Sequence, residues 1–374
     1  MKAVSSVRDL REAAGRRLPR MVMDFLEGGA LDEVTLRSNT NDLEALLLRQ
    51  RVLRDVSDVD LSISILDTTF RVPMAIAPMG LLSVFRPDSD VAMAKAAHDA
   101  GTVFVHSAWS GAPLRDVVTA APGSVWSQIT FWPDARLVEQ HLQRAQDLGI
   151  EVLVVAADVS VSSKRDRDLR NGFTMDARPT FANVLNAARK PRWGWGFVTG
   201  PKVTFGDQSV DGRPMSFAQM QEFMEHENAA ATWRDVERLR SAWPGKIVVK
   251  GIMSADDARA AIDAGADGVY VSNHGGRQFD AQPSTAASLP SVAEAVAGRV
   301  PVLVDGGIRR GSDIVKMTAL GADLCLIGRP AVYGLVHAGS AGVARVLDLL
   351  ADETAVALAF TGTTRLCDVD LSVL

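Results

Sequence analysis

Residues 272–278, with the sequence SNHGGRQ, place an imidazole and a guanidinium three residues apart. They follow the short apolar run 269–271, which is typical of a strand that leads into a loop. The two glycines allow a ligand to approach the backbone closely. An enzyme that deprotonates an anionic substrate needs a base beside a cation, and His274 and Arg277 offer that pair. Taken alone, the stretch also fits a histidine whose hydrogen bonds are simply satisfied in a polar loop, so other residues must decide.

Charged and polar residues recur at the ends of other predicted strands. Asp158 ends the fourth apolar run of the chain and Lys250 ends the fifth. Glycine and arginine follow the seventh and eighth runs. A lysine or aspartate at one strand end is usually a salt-bridge partner, but in a barrel such ends converge on one face. Together these strand ends predict a single polar site.

The loops after the seventh and eighth runs carry glycine beside arginine. The residues concerned are Asp305, Gly306, Gly307, Arg309, Gly328 and Arg329. Exposed backbone N–H groups next to guanidiniums suit a phosphate group, and barrels often bind phosphate at this pair of loops. Because the chain has no Walker-type or GxGxxG motif, we expect FMN or a phosphorylated sugar. Lys250 would face the flavin ring in the first case and would be a Schiff-base candidate in the second.

A repeating unit of one short apolar run and one amphipathic segment must position these residues. The runs cover residues 74–78, 102–107, 124–129, 152–158, 246–251, 268–273, 301–307 and 324–330. Three of the helical segments between them stop before Gly101, Gly149 and Gly265, as a helix C-cap would. Eight strand-then-helix units predict a (β/α)8 TIM barrel, an α/β fold, over about residues 70–365 of a single domain 1–374. The helical pattern of residues 4–41 predicts N-terminal cover helices.

One interval is far too long for a simple crossover between a strand and the next helix. Residues 159–232 are therefore expected to be a functional insertion after the fourth strand, over the active face. The insertion begins with a dense run of both charges at 164–171 and continues with a basic and aromatic segment at 189–197. We interpret the second segment as a packed surface rather than an interfacial membrane contact, which would favour a longer amphipathic helix.

The composition excludes several classes of protein. Charged residues make up 23% of the 374 residues and the net charge is −5, so nucleic acid is not an expected partner. Two cysteines, Cys325 and Cys367, are too few for a disulfide framework, and a cytoplasmic location is expected. The N-terminal region has no apolar signal segment, and no run of 18 apolar residues occurs. No metal site is expected.

Four motifs together resemble the FMN-dependent α-hydroxy acid oxidase/dehydrogenase family, which includes glycolate oxidase, lactate oxidase and mandelate dehydrogenase. They are SNHGGRQ at 272–278, VKG at 249–251, DGGIRRG at 305–311 and IGRP at 327–330. The resemblance covers nearly the whole chain, including LPRMV at 18–22. It implies an FMN-dependent oxidoreductase that acts on a CH–OH group and converts an (S)-2-hydroxy acid to a 2-oxo acid.

The resemblance also implies a role for each matching residue. His274 resembles the base that takes a proton from the substrate, and Asp158 the carboxylate that stabilises the imidazolium. Arg277 and Arg165 would bind the substrate carboxylate. The residues implied in flavin binding are Pro78, Met79, Gly80, Ser107, Gln128, Lys250 and Ser272, those at the phosphate are Gly306, Gly307, Arg309, Gly328 and Arg329, and Asp305 is a further cofactor-binding residue.

The chain departs from the family pattern at two substrate-binding positions. Phe25 and Thr130 stand where the family has tyrosines, and the two tyrosines of the chain, Tyr270 and Tyr333, lie elsewhere. Each lost hydrogen bond to a charged group is worth about 1.5–3 kcal/mol, so a small hydroxy acid should be bound or converted less well. We therefore expect a bulky or aromatic, mandelate-like substrate or a biosynthetic intermediate.

Other readings stay open at this point. The same His274 and FMN could oxidise an amine or amino-acid-like carbon, the barrel could be a non-redox FMN isomerase, or a flavin-binding protein could have lost its activity. The electron acceptor is oxygen or an unknown molecule; Gly80 resembles mandelate dehydrogenase-like and monooxygenase-like members rather than oxidases. The resemblance implies a homo-oligomer, a tetramer or octamer. The 192–193 region resembles the mandelate dehydrogenase insertion, which leaves membrane-surface association as a less favoured alternative.

Overall fold

Eight parallel strands close into a barrel in which strands neighbouring in the chain also pair, apart from the short hairpin inside the insertion. The computed structural model describes residues 4–172, 180–200, 205–207, 209–210, 213–214 and 228–374. The barrel strands are β3 Met74–Ile76, β4 Phe104–His106, β5 Val125–Thr130, β6 Val152–Ala156, β9 Lys246–Ile252, β10 Gly268–Val271, β11 Val302–Val304 and β12 Leu324–Ile327. The last strand pairs with the first, Leu326 with Ala75, and this closure confirms the predicted (β/α)8 barrel.

The barrel strands bury both of their faces, as strands covered by crossover helices do. Val154, Val248 and Leu303 belong to the apolar cluster in the barrel interior. Their neighbours Val155 and Val249 belong to the larger cluster that also contains helix residues. This alternation leaves the polar residues at the strand ends as the part of each strand that faces a ligand.

Helices cover the barrel and its two ends. They are α1 Val7–Arg17, α2 Arg20–Glu27, α3 Val34–Ala45, α4 Ser89–Ala100, α5 Leu114–Ala120, α6 Ala135–Asp147, α7 Asp166–Arg170, α8 Phe181–Ala188, α9 Pro191–Thr199, α10 Trp233–Ala242, α11 Ala255–Asp263, α12 Thr285–Val296, α13 Gly311–Ala319, α14 Arg329–Ala338 and α15 Ser340–Thr361. Short 3-10 turns lie at Leu82–Val84, Leu366–Asp368 and Leu371–Val373. The predicted helix stops are confirmed at Gly101, Gly149 and Gly265, which all have positive φ.

The N-terminal cover predicted from residues 4–41 consists of α1, α2 and α3. Helix α1 packs on α14, and α3 brings Asn39 against the loop after β11. The hairpin of β1 Ile63–Ile65 and β2 Thr68–Phe70 packs against the barrel interior, where Phe70 meets Trp126 edge to face at 6.0 Å. The cover and this hairpin therefore pack on the barrel in addition to its crossover helices.

The insertion lies between β6 and α10. Its charged first part forms α7, its basic and aromatic part forms α9, and a two-residue hairpin pairs β7 Ser209–Val210 with β8 Arg213–Pro214. Helix α9 is held to the body of the protein: the indole N–H of Trp193 donates to the carbonyl of Val84 at 2.9 Å, and Lys190 Nζ donates to the carbonyl of Arg16 at 2.7 Å. These two bonds anchor segment 189–197 to the body of the protein, but Trp195 within it is 74% exposed, so the packed surface stays a prediction.

Candidate active site

A deep cleft opens at the carboxyl ends of the barrel strands. It holds about 1410 Å³ of empty space, its open mouth included. The predicted site residues that line it are Phe25, Pro78, Met79, Gly80, Ser107, Gln128, Arg165, Lys250, His274, Arg277, Asp305, Gly306, Gly307, Arg309, Gly328 and Arg329. Residues from the N-terminal cover, the insertion and all the strand ends between them therefore meet in one cavity, as expected of a ligand site in such a barrel.

Three charged or titratable groups meet in the wall of the cleft. Asp158 Oδ2 lies 3.1 Å from His274 Nδ1 and 3.1 Å from Lys250 Nζ. The Lys250 and His274 nitrogens are themselves 3.3 Å apart. Asp158 follows β6, Lys250 lies in β9 and His274 follows β10, and these are three adjacent strands. A carboxylate that accepts from the Nδ1–H of an imidazole leaves Nε2 as the basic nitrogen.

The surroundings favour a neutral imidazole and an ionised carboxylate. Burial lowers the pKa of His274, and the Lys250 ammonium lowers it further, while Asp158 opposes this shift. Burial alone would raise the pKa of Asp158, but Lys250 and His274 outweigh it and hold that pKa below its usual range. The second oxygen of Asp158, Oδ1, is buried and has no hydrogen-bond partner among the described residues. His274 is therefore free to accept a proton near neutral pH.

The backbone that carries His274 is itself unusual. His274 has a φ of 56°, which few residues other than glycine adopt, and Gly275 and Gly276 continue in the left-handed region. A Cβ at Gly276 would lie 2.7 Å from the backbone of Leu36 in α3. The N–H of His274 donates to Ser272 Oγ at 3.1 Å. The SNHGGRQ sequence thus builds a tight turn under the cover helix, and strain of this kind is typical of functional sites.

The two arginines predicted to bind a carboxylate both lie over the ring of Phe25. The guanidinium carbon of Arg277 is 5.0 Å and that of Arg165 5.5 Å from the ring centroid. Arg277 Nη1 donates to the carbonyls of Phe25 and Gly28 at 2.8 and 2.7 Å. Arg165 pairs with Asp168 at 3.4 Å. One edge of Arg277 is thus anchored to the backbone, which orients the remaining N–H groups.

The glycine and arginine loops have the donors that a phosphate needs. None of the hydrogen bonds found among the described residues is donated by the backbone N–H of Gly306, Gly307 or Gly328. A Cβ at Gly307 would overlap the carbonyl oxygen of Asn39, so only glycine fits under α3. Unpaired N–H groups at the cleft wall fit a bound anion, and the FMN phosphate is such a group.

Both arginines of these loops also bind the protein's own backbone. Arg309 Nη1 donates to the carbonyl of Ile308 at 2.7 Å. Arg329 donates to the carbonyls of Leu26, Gly275 and Gly28 at 2.9, 3.1 and 2.9 Å. Because each guanidinium has five N–H groups, these bonds leave others for a ligand. Arg329 thereby links α2 to the His274 turn, a structural role that the sequence did not predict.

Tyr270 is a buried site residue that sequence reasoning assigned only to a strand. Its hydroxyl donates to Asp305 Oδ2 at 2.9 Å, and Ser272 donates to Asp305 Oδ1 at 2.9 Å. Lys250 Nζ lies 5.7 Å from the centre of the Tyr270 ring. Strand alternation could have predicted this position, because Tyr270 lies on the same face as Ser272. Tyr270 also pairs with Lys250 on the adjacent strand.

Three predicted residues do not line the cleft. Asp158 and Ser272 lie behind the cleft wall, where Asp158 contacts His274 and Ser272 donates to Asp305. Thr130 is buried at the end of β5 and is not part of the cleft wall. Its predicted contact with substrate therefore remains a prediction without support from the cavity.

An aromatic and aliphatic wall completes the cleft and was not predicted. Trp109 meets Phe205 edge to face at 5.9 Å, and Phe25 stacks on Phe85 at 6.0 Å. Leu81 also lines this wall. Gly80 makes room for it, because a Cβ there would lie 2.8 Å from the Cβ of Trp109. The wall offers apolar surface beside the two arginines.

Comparison with known sequences agrees with this geometry. The family model described as FMN-dependent dehydrogenase matches residues 14–374. An L-lactate dehydrogenase of Stenotrophomonas maltophilia (strain R551-3) is 39% identical over 369 residues, which are 98% of this chain and 97% of that protein. An L-lactate dehydrogenase of Caulobacter sp. (strain K31) is 38% identical, with coverage of 99% and 98%.

Comparison with solved structures finds related proteins that have the same fold. The crystal structure of a monotopic membrane protein, (S)-mandelate dehydrogenase, matches with a TM-score of 0.93 and 36% identity, over 100% of this chain and 99% of that chain. A mandelate oxidase structure matches with a TM-score of 0.85 and 36% identity, over 98% and 97% of the two chains.

Proposed function

Because this chain belongs to the FMN-dependent dehydrogenase family, we propose that it oxidises a bulky, aromatic (S)-2-hydroxy acid to the 2-oxo acid. It is an FMN-dependent oxidoreductase. The observation that carries the proposal is the His274 and Asp158 pair, which shares one cleft with Arg165, Arg277 and an aromatic wall. A base, two cations and apolar surface are what an aromatic hydroxy acid requires.

The chain's own residues divide the work as follows. When bound, FMN supplies a two-electron acceptor, and the hydroxy acid loses two electrons and two protons overall. His274 takes a proton from the α-carbon or the hydroxyl of the substrate. Asp158 stabilises the resulting imidazolium at 3.1 Å. Arg277 and Arg165 hold the substrate carboxylate, which fixes the reacting carbon relative to His274.

The remaining site residues hold the cofactor in this proposal. Gly306, Gly307, Gly328, Arg309 and Arg329 bind the phosphate. Lys250 would present its ammonium group to the flavin ring, Gln128 and Ser107 would bind the ring, and Ser272 would support it through Asp305. Pro78, Met79 and Gly80 would present their backbone to the ring, and Asp305 accepts hydrogen bonds from Tyr270 and Ser272 in the cleft wall.

Two features of the cleft favour a bulky substrate: a phenolic hydroxyl is missing at Phe25, and aromatic side chains line the wall. Phe25 offers no phenolic hydroxyl to a small acid, whereas Trp109, Phe205 and Phe85 offer aromatic surface. The similarity to mandelate dehydrogenase and mandelate oxidase supports an aromatic acid. The relatives named L-lactate dehydrogenase make (S)-lactate the competing substrate. We favour the aromatic acid over lactate because the aromatic side chains of the cleft wall would pack against its ring.

Anaerobic reduction of the flavin absorbance tests the substrate. A panel of (S)-2-hydroxy acids should include glycolate, lactate, mandelate and 4-hydroxymandelate. We expect mandelate to bleach the flavin at a lower concentration than lactate, and glycolate to bleach it least. Bleaching by amines but by no hydroxy acid would replace this proposal with amine oxidation. Admitting air afterwards tests the acceptor; relatives named dehydrogenases support one other than oxygen.

We propose a cytoplasmic homo-oligomer, a tetramer or octamer, with membrane-surface contact as the competing location. No helix in the described part of the chain is long and apolar enough to cross a membrane. The similarity to a monotopic membrane protein supports the competing location, and in α9 Trp195 is 74% and Val198 81% exposed. Size-exclusion chromatography with light scattering and the partition of the protein between supernatant and membrane fractions test both points.

A further inference from the structure

A second cavity lies outside the cleft, where α9 of the insertion meets the body of the protein. It holds about 970 Å³ of empty space, its mouth included. Four basic side chains line it: Arg17 at the end of α1, Arg86 before α4, Arg192 in α9 and His337 in the last turn of α14. Four separate elements thus present a basic group to one cavity.

The three arginines in this cavity carry more positive charge than the described residues around them offset. No described carboxylate forms an ion pair with Arg17, Arg86 or Arg192. Asp88 is the one acidic residue among the described residues that line the cavity. Burial lowers the pKa of Arg17, and the nearby Arg192 and Arg86 lower it further. Arg86 and Arg192 are exposed, so water and salt screen part of this repulsion, and an anion between the three side chains would relieve the rest.

Two neutral polar groups in the cavity wall also have no partner. Ser83 Oγ and His337 Nδ1 are buried, and neither has a hydrogen-bond partner among the described residues. A buried polar atom without a partner costs about 1–3 kcal/mol. Both residues line this cavity. A ligand with several oxygen atoms would neutralise the arginines, and it would bond the hydroxyl and the imidazole once these side chains rotate toward the cavity.

The walls of the cavity are fixed by contacts of their own. The Trp193 indole donates to Val84, and its ring stacks on Phe197 at 4.9 Å. Arg17 Nη1 donates to the carbonyl of Val336 at 3.1 Å. Pro87 packs against the helix next to Gly196, within 3.5 Å of a Cβ placed there. Arg17 and the α9 backbone that carries Arg192 are therefore held toward the cavity by the packing around them.

We propose that this cavity binds a phosphate group. One guanidinium satisfies a carboxylate, whereas a phosphate has more oxygens and more charge and suits several arginines with a hydroxyl and an imidazole. The phosphate comes either from a soluble phosphate ester or from the headgroup of an anionic phospholipid. The second source is compatible with the exposed Trp195 and Val198 on the same helix. This proposal does not rest on the substrate proposed above.

The test titrates inorganic phosphate into the FMN-loaded protein, so that the cofactor's own phosphate site is already filled. Ionic strength is kept constant with chloride, and binding is followed by calorimetry and by the shift in unfolding temperature. The double variant Arg86→Glu/Arg192→Glu should weaken phosphate binding at least about tenfold, since it replaces two cations by two anions. The conservative variant Ser83→Ala should weaken it less. Arg115→Glu, an exposed arginine on α5, is the matched control and should leave binding unchanged.

Vesicle flotation with the same proteins separates the two sources. Binding to phosphatidylglycerol vesicles but not to phosphatidylcholine vesicles, lost in the double variant, identifies a lipid headgroup. Binding of inorganic phosphate without vesicle binding, again lost in the double variant, identifies a soluble ester. If the double variant binds phosphate and vesicles as the wild type does, or if the wild type binds neither, the proposal is wrong. Flavin absorbance of each variant confirms that it is folded and loaded.

Discussion

His274 Nδ1 lies 3.1 Å from Asp158 Oδ2, although 116 residues separate the two along the chain. Lys250 touches both, and all three come from adjacent barrel strands. The contact gives the imidazole a fixed orientation and a carboxylate that can stabilise its charged form. The proposed reaction therefore depends on which nitrogen of His274 carries the proton, because Nε2 must be free to act as the base.

Replacing Asp158 by asparagine should slow flavin reduction by about 100-fold, because the imidazolium loses its counter-charge. It should also change the pH profile. Burial and Lys250 lower the pKa of His274 while Asp158 raises it, so removal of the carboxylate lowers that pKa further. Activity needs the neutral imidazole and falls as pH drops through this pKa; the acidic limb of the wild type should lie below the ordinary value of about 6.5 and that of Asp158→Asn lower still.

The control for this prediction is Asp134→Asn, which removes the N-cap carboxylate of α6. Its pH profile should match that of the wild type. If the limb of Asp158→Asn moves to higher pH instead, His274 is not the group that titrates.

Tyr270→Phe tests the buried tie to Asp305. Removal of the hydroxyl leaves Asp305 Oδ2 without that donor, at a cost of about 1–3 kcal/mol in the free energy of unfolding. The FMN dissociation constant should rise about tenfold, because Asp305 faces the cleft. Tyr333→Phe is the matched control, since Tyr333 is also buried and hydrogen-bonded to a carboxylate, that of Glu27. Equal effects on FMN affinity would mean that the Tyr270 hydroxyl only stabilises the fold.

Phe25→Tyr tests the link between the missing phenol and substrate size. The ring already lies under Arg277 and Arg165, so a hydroxyl added to it would stay within the cleft wall. A new hydrogen bond to the substrate carboxylate is worth about 1.5–3 kcal/mol, so kcat/KM for lactate should rise at least about tenfold. Phe85→Tyr, which adds a hydroxyl to the ring stacked on Phe25, should have a smaller effect. No gain for any small acid would argue against this view of the pocket.

Gly307→Ala tests the close approach of α3 to the phosphate loop. A Cβ would overlap the Asn39 carbonyl, and the φ of 80° adds strain, so the protein should lose about 3 kcal/mol or more of stability and bind FMN poorly. Gly123→Ala is the matched control, with a φ of 71° and nothing within 4 Å of the new Cβ. It should lose only about 1 kcal/mol. Urea unfolding of the FMN-free proteins measures both, and similar losses would show that φ alone decides.

The fold and the polar site could be predicted from the sequence because their signals are local. Alternation of apolar runs with helical segments gives the barrel, and the position of Lys250 or His274 at a strand end gives its place at the mouth. The glycines after β11 were predicted as anion donors for the right loop. Gly307 must also be glycine because the carbonyl of Asn39 lies against it. That contact depends on a cover helix more than 260 residues earlier in the chain and has no local signal in the sequence.

The aromatic wall could not be predicted for a similar reason. Trp109 follows β4, and Phe205 lies in the insertion, so their contact at 5.9 Å depends on how a long segment returns to the barrel. The position of Tyr270 could have been predicted from the sequence, because strand alternation places it on the same face as Ser272. The anchoring of Arg329 to α2 and to Gly275 needs the path of the N-terminal cover, which periodicity alone does not give.

The most direct test of the account is anaerobic stopped-flow reduction of FMN-loaded wild type and His274→Gln by (S)-mandelate. Glutamine keeps the volume and polarity of the side chain but cannot act as a base at neutral pH. We expect both proteins to bind FMN and the variant to be reduced at least about 100-fold more slowly at saturating substrate. Reduction of His274→Gln at the wild-type rate would contradict it and would remove His274 from the chemistry.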